Sequence, residues 1–327
     1  MSDPQRDFDR ARAANEELNA HARATYRYLR LSIVVAVFVL IVGLIEERID
    51  AGCLKSSISA YYYSPVRSLF VGGLIAIGLA LIAIRGRTRA EEVLLNLAGM
   101  FAPVVALVPT TPSDDCPSSI ATTPAPTVPP QEPLPDWVLR QIDNNLLAYL
   151  AVAGAVILVL AGWWVFARFR RPDLGLDEPA TWFLASLLIY AVVVGIGVVV
   201  YVNSDKFKEY AHWVAALAMF ACFFVVVVWN ALRWRTEGPR FARAYGAIAI
   251  GMIVAAVVMG GWKFLADRFD GFPQWDEAIF WLEIAEILLF ALFWGIQTWQ
   301  FRKFETVLVP PPGGGPAEPV AVSAEAT

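Results

Sequence analysis

Two glutamates lie inside the last long apolar segment of the chain, where ionisable groups are rare. Glu283 and Glu286 are three residues apart, so on a helix they share one face, about 60° apart. A charged side chain at membrane depth costs on the order of 2.5–3.5 kcal/mol and normally faces a partner or water. The pair therefore predicts either a polar pocket or ion path, or a contact that merely pins this helix to a neighbouring cation.

Cations and hydroxyl groups that could complete such a pocket stand near the ends of other apolar segments. His212 begins the sixth segment, Lys263 ends the seventh, and Arg67 precedes the second. The loop before Arg67 reads SSISAYYY and adds a dense set of hydroxyls. The candidate ligand-binding residues are Ser57, Ser59, Tyr61, Tyr62, Arg67, His212, Lys263, Glu283 and Glu286. Alternatively, Lys263 or His212 only pairs with a glutamate to hold helices together, and His212 is an interfacial residue.

A catalytic reading of the same residues would use Ser59 as nucleophile, His212 as base and Glu283 to orient the base. Only the residue types support it, so we do not expect an enzyme. The sequence has no phosphate loop, CxxC pair or HExxH motif. Its two histidines exclude a multi-histidine zinc site, and with it the ceramidase-like and adiponectin-receptor-like membrane hydrolases. No metal, cofactor or nucleic-acid partner is expected.

The elements that must position these residues are apolar segments of membrane-spanning length. The chain is 57% hydrophobic with a mean hydropathy of +0.54, and a bilayer core needs about 20 apolar residues per helix. Eight segments qualify or nearly so: 31–45, 68–84, 93–109, 146–167, 180–202, 211–232, 244–262 and 278–296. The first is the shortest and could be a buried half-helix. We predict an all-α transmembrane bundle of eight spans, with lipid as its surroundings.

The basic residues alternate between the gaps and predict the orientation. Of the 26 lysines and arginines, 18 lie in the two tails and in every second gap, and eight lie in the remaining gaps. The positive-inside rule places the richer side in the cytoplasm. Both termini are then cytoplasmic, which requires the even number of spans.

Three regions flank or interrupt the predicted transmembrane domain of residues 31–300. Residues 1–30 predict a cytoplasmic surface helix that leads into the first span. The gap 110–145 is rich in proline, threonine and serine, which predicts an extended extracytoplasmic loop. Residues 301–327 end in a Pro/Gly/Ala tail, for which we expect no ordered structure.

Two of the three cysteines fall in gaps assigned to the extracytoplasmic side. Cys53 follows the first segment and Cys116 lies in the proline-rich gap, and disulfides persist in that compartment. A link between them would stabilise the fold by about 4 kcal/mol in the chain-entropy picture. The alternative is two unpaired thiols in loops. Cys222 lies inside the sixth segment and is expected to be a small packing residue.

The loop run SISAYYYSPVR, residues 57–67, continues into a glycine-rich helix that ends at Arg85-Gly86. Together with four later features, this run resembles a pattern of a group of uncharacterised bacterial multi-pass membrane proteins. The later features are Asn96-Leu97-Ala98-Gly99, Pro109-Thr110, His212 at a helix start, and Glu283 or Glu286 before Phe293-Trp294. The resemblance implies a bacterial inner-membrane protein and brings no established activity.

These observations leave three functional hypotheses. The leading one is an outward-facing pocket between segments two, six, seven and eight that binds, senses or transports a small polar or ionic ligand. The second is a structural or assembly protein without a ligand, and the third is the hydrolase. Against transport, no pair of Gly/Pro-broken segments is visible, and Pro103 is the only interior break. The sequence does not predict an oligomeric state.

Overall fold

The computed structural model describes residues 4–110, 136–170, 180–203 and 207–308. Throughout these ranges the chain is helical, with short connections and no strand. The helices are α1 Pro4–Ala51, a 3₁₀ turn Ser59–Tyr63, α2 Arg67–Ala83, α3 Arg89–Leu107, α4 Asp136–Arg170, α5 Ala180–Asn203, α6 Phe207–Glu237, α7 Pro239–Ala255, a π-helical turn Ala256–Gly260, α8 Gly261–Arg268 and α9 Ala278–Leu308.

Seven stretches of helix in the described ranges are long and apolar enough to cross a membrane. They are Glu17–Ala51, Arg89–Leu107, Asp136–Arg170, Thr181–Asn203, Tyr210–Thr236, Pro239–Arg268 and Ala278–Gln300. The protein is therefore an all-α, multi-pass integral membrane protein. The first segment, expected to be the weakest, lies inside a continuous 35-residue stretch, because charged residues prolong the helix on both sides. The weakest segment is instead α2, whose apolar helix has 17 residues.

The connections between the helices lie at two ends of the bundle. We call the "loop end" the one that holds residues 52–66, 108–110 and 269–277, and the "arginine end" the one that holds residues 84–88 and 238. Helices α1, α2, α3, α6, α7 and α9 pack around the main core, whereas α4 and α5 pair with each other at its edge. The core contains large buried side chains such as Leu81, Phe223, Tyr245, Phe293 and Trp294.

Helices α2 and α3 approach each other closely at two glycines. A Cβ added to Gly78 would lie 2.7 Å from the carbonyl oxygen of Gly99, and one added to Gly99 would lie 2.6 Å from that of Gly78. Small residues allow such backbone contact between membrane helices. Gly78 and Gly99 therefore let α2 and α3 pack closely.

Helix α3, for which Pro103 predicted a break, is regular, and the irregular turn lies between α7 and α8. Pro103 lies inside α3 without interrupting it, and its ring packs near Gly78. The break occurs at the π-helical turn Ala256–Gly260, which joins α7 to α8 and packs against α9. Single π-turns within α-helices are common at functional sites.

The regions predicted to flank the transmembrane domain are partly helical. The N-terminal helix of residues 1–30 is continuous with the first span in α1, and α9 continues to Leu308. The proline-rich gap, except for its two ends, and the tail after residue 308 lie outside the described residues.

Candidate functional site

The SISAYYY loop, residues 57–63, folds into the loop end of the bundle instead of lying on its surface. Ile58, Ser59, Tyr61 and Tyr62 are all buried. Helix α9 holds the loop by its backbone, because the Phe280 N–H donates to the carbonyl of Ser56 at 2.9 Å. The loop is thus an interior part of the fold.

Glu283 binds the backbone at the start of this loop. Its Oε2 accepts a hydrogen bond from the Ile58 N–H at 2.5 Å, and the carboxylate also accepts from the N–H of Ser59. These amides precede or begin the 3₁₀ turn Ser59–Tyr63, where backbone N–H groups lack partners within the helix. The carboxylate therefore serves as a cap supplied by α9.

The hydroxyl groups of the loop bond to one another and to the end of α3. Ser57 Oγ lies 3.0 Å from Ser59 Oγ, which lies 3.1 Å from Thr110 Oγ1. The Ala60 N–H donates to Ser57 Oγ at 3.1 Å, and the Tyr63 hydroxyl donates to the Thr110 carbonyl at 2.9 Å. Burial raises the pKa of the Tyr63 phenol, which keeps this donor protonated.

Arg67 joins the loop to α4. Its Nη2 donates to the Tyr62 hydroxyl at 2.8 Å and to Gln141 Oε1. The guanidinium also lies over the Tyr62 ring, 4.3 Å from its centroid, and 5.5 Å from that of Trp137. Arginine stacked on aromatic rings is well suited to such contacts. Arg67 and Tyr62 thus meet at the α4 side of the loop.

Tyr61 packs on the other side of the loop, beside a buried lysine. The Lys55 ammonium lies 5.8 Å from the Tyr61 ring centroid, and the Lys55 N–H donates to the Tyr61 hydroxyl at 3.4 Å. Burial lowers the pKa of Lys55 and raises that of Tyr61. Tyr61 and Tyr62, although adjacent in sequence, serve different contacts.

The cations suggested as partners of the two α9 carboxylates make other contacts. Buried His212 hydrogen-bonds through Nδ1 to the Val108 carbonyl at 2.7 Å. Lys263 pairs with Asp267 at 2.7 Å, one turn away on its own helix. Arg67 is engaged with α4, and no ion pair among the described residues joins any of the three to Glu283 or Glu286. Each cation has a nearer partner, which spacing along the sequence could not reveal.

Glu286 is a buried carboxyl group to which the described residues give no hydrogen bond. The residue is 7% exposed, and its buried Oε2 has no hydrogen-bond partner. It stands eight residues after Ala278, about 12 Å along the helix from the loop end of the span. Leaving a buried polar group unsatisfied costs about 1–3 kcal/mol, so this carboxyl group requires an explanation.

The three residues of the catalytic hypothesis do not form a relay. Ser59 bonds to Ser57 and Thr110, His212 to Val108, and Glu283 to backbone amides. A hydrolytic triad requires direct hydrogen bonds from nucleophile to base and from base to orienting acid. Neither bond is present.

A second buried polar cluster lies at the arginine end, and sequence reasoning missed it. Glu91 is 4% exposed. Its Oε1 accepts from Asn230 Nδ2 at 2.9 Å, its Oε2 accepts from the Arg87 N–H at 3.1 Å, and Arg233 lies at 3.8 Å. A signal existed, because Thr88 stands three residues before Glu91, the spacing of a helix capping box. Thr88 Oγ1 indeed accepts from the Glu91 N–H at 3.2 Å.

Packed aromatic rings separate the polar residues of α9 into two groups. Toward the arginine end, Gln297 and Gln300 are buried, and Tyr245 donates to Gln300 Oε1 at 2.6 Å. Between these glutamines and the glutamates, the Phe223 ring lies 4.7 Å from Phe290 and 5.2 Å from Phe293. Trp294 packs edge-on against Phe293 at 5.3 Å.

Of the cysteines, Cys222 is a free thiol and packs against the main core, as predicted. Cys116 lies outside the described residues, so the Cys53–Cys116 disulfide stays a prediction. In the described ranges no three histidine, cysteine, aspartate or glutamate side chains are placed to hold a metal ion.

Comparison of the chain with protein-family models, with curated proteins and with solved structures found no match. The site must therefore be interpreted from its own geometry.

Proposed function

We propose that this integral membrane protein binds a proton or a small cation at Glu283 and Glu286, reached from the loop end. The observation that supports this most is the buried Glu286 carboxyl group, whose Oε2 has no hydrogen-bond partner in the described residues. Among small polar or ionic ligands, a proton or a cation is the kind that a carboxylate without a partner would bind.

The energetics of burial support such a ligand. A carboxylate at membrane depth is expensive unless it is neutralised. His212, Lys263 and Arg67 are engaged elsewhere. A proton or a bound cation would remove the charge, and Glu283, one turn away, offers further carboxylate oxygen to a shared ion.

The two ends of the bundle differ in the access that they could give to this site. On the arginine side, the rings of Phe223, Phe290, Phe293 and Trp294 pack closely. On the other side, Glu283 is only partly buried and contacts the SISAYYY loop. A ligand would therefore enter from the loop end, and transport beyond Glu286 would require the aromatic rings to move. The adjoining π-helical turn Ala256–Gly260 is a suitable place for such a shift.

The orientation belongs to the same proposal. The positive-inside count supports a cytoplasmic arginine end and two cytoplasmic termini, with α2 as a short eighth span. The resemblance noted for the sequence supports a bacterial inner membrane. The loop end would then face the periplasm, where a Cys53–Cys116 disulfide would form.

A structural or assembly role is the second candidate. It is favoured by the hydrogen bonds that polar side chains at the loop end form with one another. Ser59 bonds to Thr110, and Arg67 bonds to Tyr62. In that case Glu286 would be an inert protonated acid in a rigid bundle.

The test is ligand-dependent stabilisation of the purified protein in uncharged detergent. Sodium, potassium or N-methylglucamine chloride is added at constant ionic strength, and the thermal unfolding midpoint is measured. Infrared difference spectra taken across a pH titration report whether a buried carboxyl group gains or loses a proton. We expect a cation-specific rise in the midpoint or a reversible carboxyl signal in the wild type.

The variants identify the responsible group. Glu286→Gln should abolish the response, and Asp276→Asn, at an exposed carboxylate before α9, should leave it intact. A wild-type protein that shows neither response would favour the structural role. A response that survives in Glu286→Gln would place the ligand elsewhere.

A further inference from the structure

A groove between α1 and the start of α2 combines an apolar body with an acidic rim. It has a volume of about 650 Å³, within the range of small-molecule sites. Its lining consists of eight apolar or small residues and the three acids Glu46, Glu47 and Asp50. Most of the lining residues of α1 are exposed although the helix is long and apolar enough to span a membrane, so the groove is open toward the bilayer.

One face of α1 supplies the long wall of the groove. Val35, Val39, Val42, Glu46 and Asp50 follow one another at spacings of four, three, four and four residues, which places them on one side of an α-helix. The helix rises about 22 Å from the first to the last of them. The wall is therefore apolar at membrane depth and acidic where the helix reaches the loop end.

The start of α2 closes the groove on the other side. A Cβ added to Gly43 would lie 2.5 Å from Leu69 Cδ1 and 3.6 Å from Val66 Cγ1, so these two side chains occupy the space beside the glycine. Val39 and Val42 remain about half exposed. The groove thus has a floor at Gly43 and stays open on its lipid side.

Glu46 and Asp50 give the rim its negative charge. Both side chains are exposed, and within the described ranges neither forms a hydrogen bond or an ion pair. Arg48 stands between them in the sequence, but it lies about 160° to 200° from them around the helix. Glu47, the third acid of the lining, is buried and interacts with Lys55, so it is not counted here.

The sequence around the rim adds no further positive charge. Within residues 46–66 the basic residues are Arg48 and Lys55, and residues 111–135 contain no lysine, arginine or histidine. The connection 269–277 contains acidic residues and no basic one. The two carboxylates at the rim are therefore not compensated by these neighbouring segments.

The two exposed carboxylates repel each other. Like charges four residues apart on a helix destabilise it, and salt screens such a pair less when low-dielectric material lies on one side. A cation that contacts both carboxylates would relieve this repulsion. A cation that also carries a hydrocarbon chain would fill the groove below the rim.

We propose that this groove binds an amphiphile with a cationic ammonium headgroup and one alkyl chain, taken up sideways from the bilayer. The headgroup lies between Glu46 and Asp50, and the chain follows Val42, Val39 and Val35. Lipid tails are as apolar as this wall, so the chain contributes by close packing and the carboxylates supply the selectivity. Glu283 and Glu286 do not line the groove, so the inference does not rest on the proposed function.

The charge at the rim selects this class of ligand over the other amphiphiles of a membrane. A phospholipid headgroup brings a phosphate, which the two carboxylates repel. An inorganic cation gains nothing from the apolar wall. The site therefore favours a net positive charge together with a chain.

The experiment compares three probes on the full chain in dodecyl maltoside micelles. They are dodecyltrimethylammonium, the zwitterionic dodecylphosphocholine with the same chain, and tetramethylammonium without a chain. Equilibrium dialysis of each radiolabelled probe measures binding, with protein-free micelles as the blank. The detergent itself supplies a competing dodecyl chain, so a difference between the first two probes reports the headgroup. We expect dodecyltrimethylammonium to bind roughly tenfold or more tightly than either other probe.

Two variants test the two parts of the site. Glu46→Gln with Asp50→Asn should weaken dodecyltrimethylammonium binding roughly tenfold. Val42→Trp, at a position 56% exposed, should fill the groove below the rim and weaken binding without disturbing the core. If the double variant does not fold, Asp50→Asn alone carries the same test with a smaller expected loss.

Three controls should bind dodecyltrimethylammonium as the wild type does. Asp270→Asn with Asp276→Asn removes two exposed carboxylates of the same end of the bundle. Leu217→Trp adds an indole at an exposed position of α6. Glu286→Gln removes the carboxyl group of the proposed function, so unchanged binding in this variant separates the two sites.

Four results would overturn the proposal. Equal binding of dodecylphosphocholine would mean an apolar groove without charge selection. Equal binding of tetramethylammonium, with no effect of Val42→Trp, would mean pairing of ions at the surface alone. An equal loss in the control pair of carboxylates would mean a general effect of surface charge. Binding of dodecyltrimethylammonium no greater than in protein-free micelles would mean that the groove holds no such ligand.

Discussion

Glu283 accepts a hydrogen bond from the backbone N–H of Ile58, a residue 225 positions earlier in the chain. This contact joins the last helix to the loop after the first, and so closes the bundle at the loop end. It also explains why a glutamate in an apolar segment need not face a cation. Backbone amides at the start of a helical turn supply the compensating donors.

We expect Glu283→Ala to destabilise the protein, because it leaves the Ile58 and Ser59 amides without their acceptor. An unsatisfied buried group costs about 1–3 kcal/mol. Glu283→Gln keeps one acceptor oxygen and should cost less. Thermal unfolding in detergent measures both, with Asp276→Asn as the exposed control. Equal midpoints for Glu283→Ala and the control would contradict the capping role.

The sequence predicted the helical segments well because their signal is compositional. Lipid offers no hydrogen-bond partners, so every span must be a long apolar helix. Each of the eight segments lies almost entirely in helix, and the seventh includes the π-helical turn. The close contact of Gly78 with Gly99 has an equally simple basis, because small residues in membrane helices allow close packing.

The partners of the polar residues were not predictable in the same way. Lys263, His212 and Arg67 lie near the same end as Glu283, but a shift of a few ångströms decides which group each one reaches. Lys263 forms an ion pair with Asp267 on its own helix, and His212 hydrogen-bonds to a backbone carbonyl. Glu91 was overlooked because it stands at the boundary of its segment, although its spacing from Thr88 resembles a capping box.

We expect Gly78→Ala to destabilise the bundle. The new methyl group would lie 2.7 Å from the Gly99 carbonyl oxygen, which is backbone and cannot rotate away, so α2 and α3 must separate. Overpacking of this kind costs about 1–3 kcal/mol. Gly73→Ala, on the same helix with no atom within 4 Å, is the matched control. A midpoint for Gly78→Ala equal to that of Gly73→Ala would show that the helices adjust freely.

We expect the Glu91–Asn230 contact to be energetically coupled. Glu91→Ala removes the acceptor of the Arg87 N–H and one of the two acceptors of the Asn230 amide, which keeps its bond to the Val226 carbonyl. A buried group left unsatisfied costs about 1–3 kcal/mol. Asn230→Ala should cost less once Glu91 is already alanine. A double-mutant cycle on the unfolding free energy measures this difference. Strictly additive losses would mean that the two residues do not support each other.

We expect Cys53 and Cys116 to be linked in protein extracted from the membrane without reductant. Both lie on the side that the arginine count makes extracytoplasmic, where disulfides persist. The measurement is alkylation with a mass-tagged maleimide in denaturant before and after reduction. Two additional tags should appear only after reduction, while half-buried Cys222 accepts its tag in both samples. Full labelling of all three thiols before reduction would disprove the link.

The distribution of arginine and lysine predicts the orientation of the whole bundle, and reporter fusions can measure it. Fusions after Thr88, after Pro172 and at the C-terminus should be active for a cytoplasmic reporter and silent for a periplasmic one. A fusion near Thr123 should give the opposite pattern. These sites lie in separate connections, so together they also test whether the third and fourth segments each cross the membrane. If α2, with its 17 residues, does not cross the membrane, the fusion after Thr88 will report the same side as residues 52–66. The count would then be seven, and the two termini would lie on opposite sides, against the charge rule.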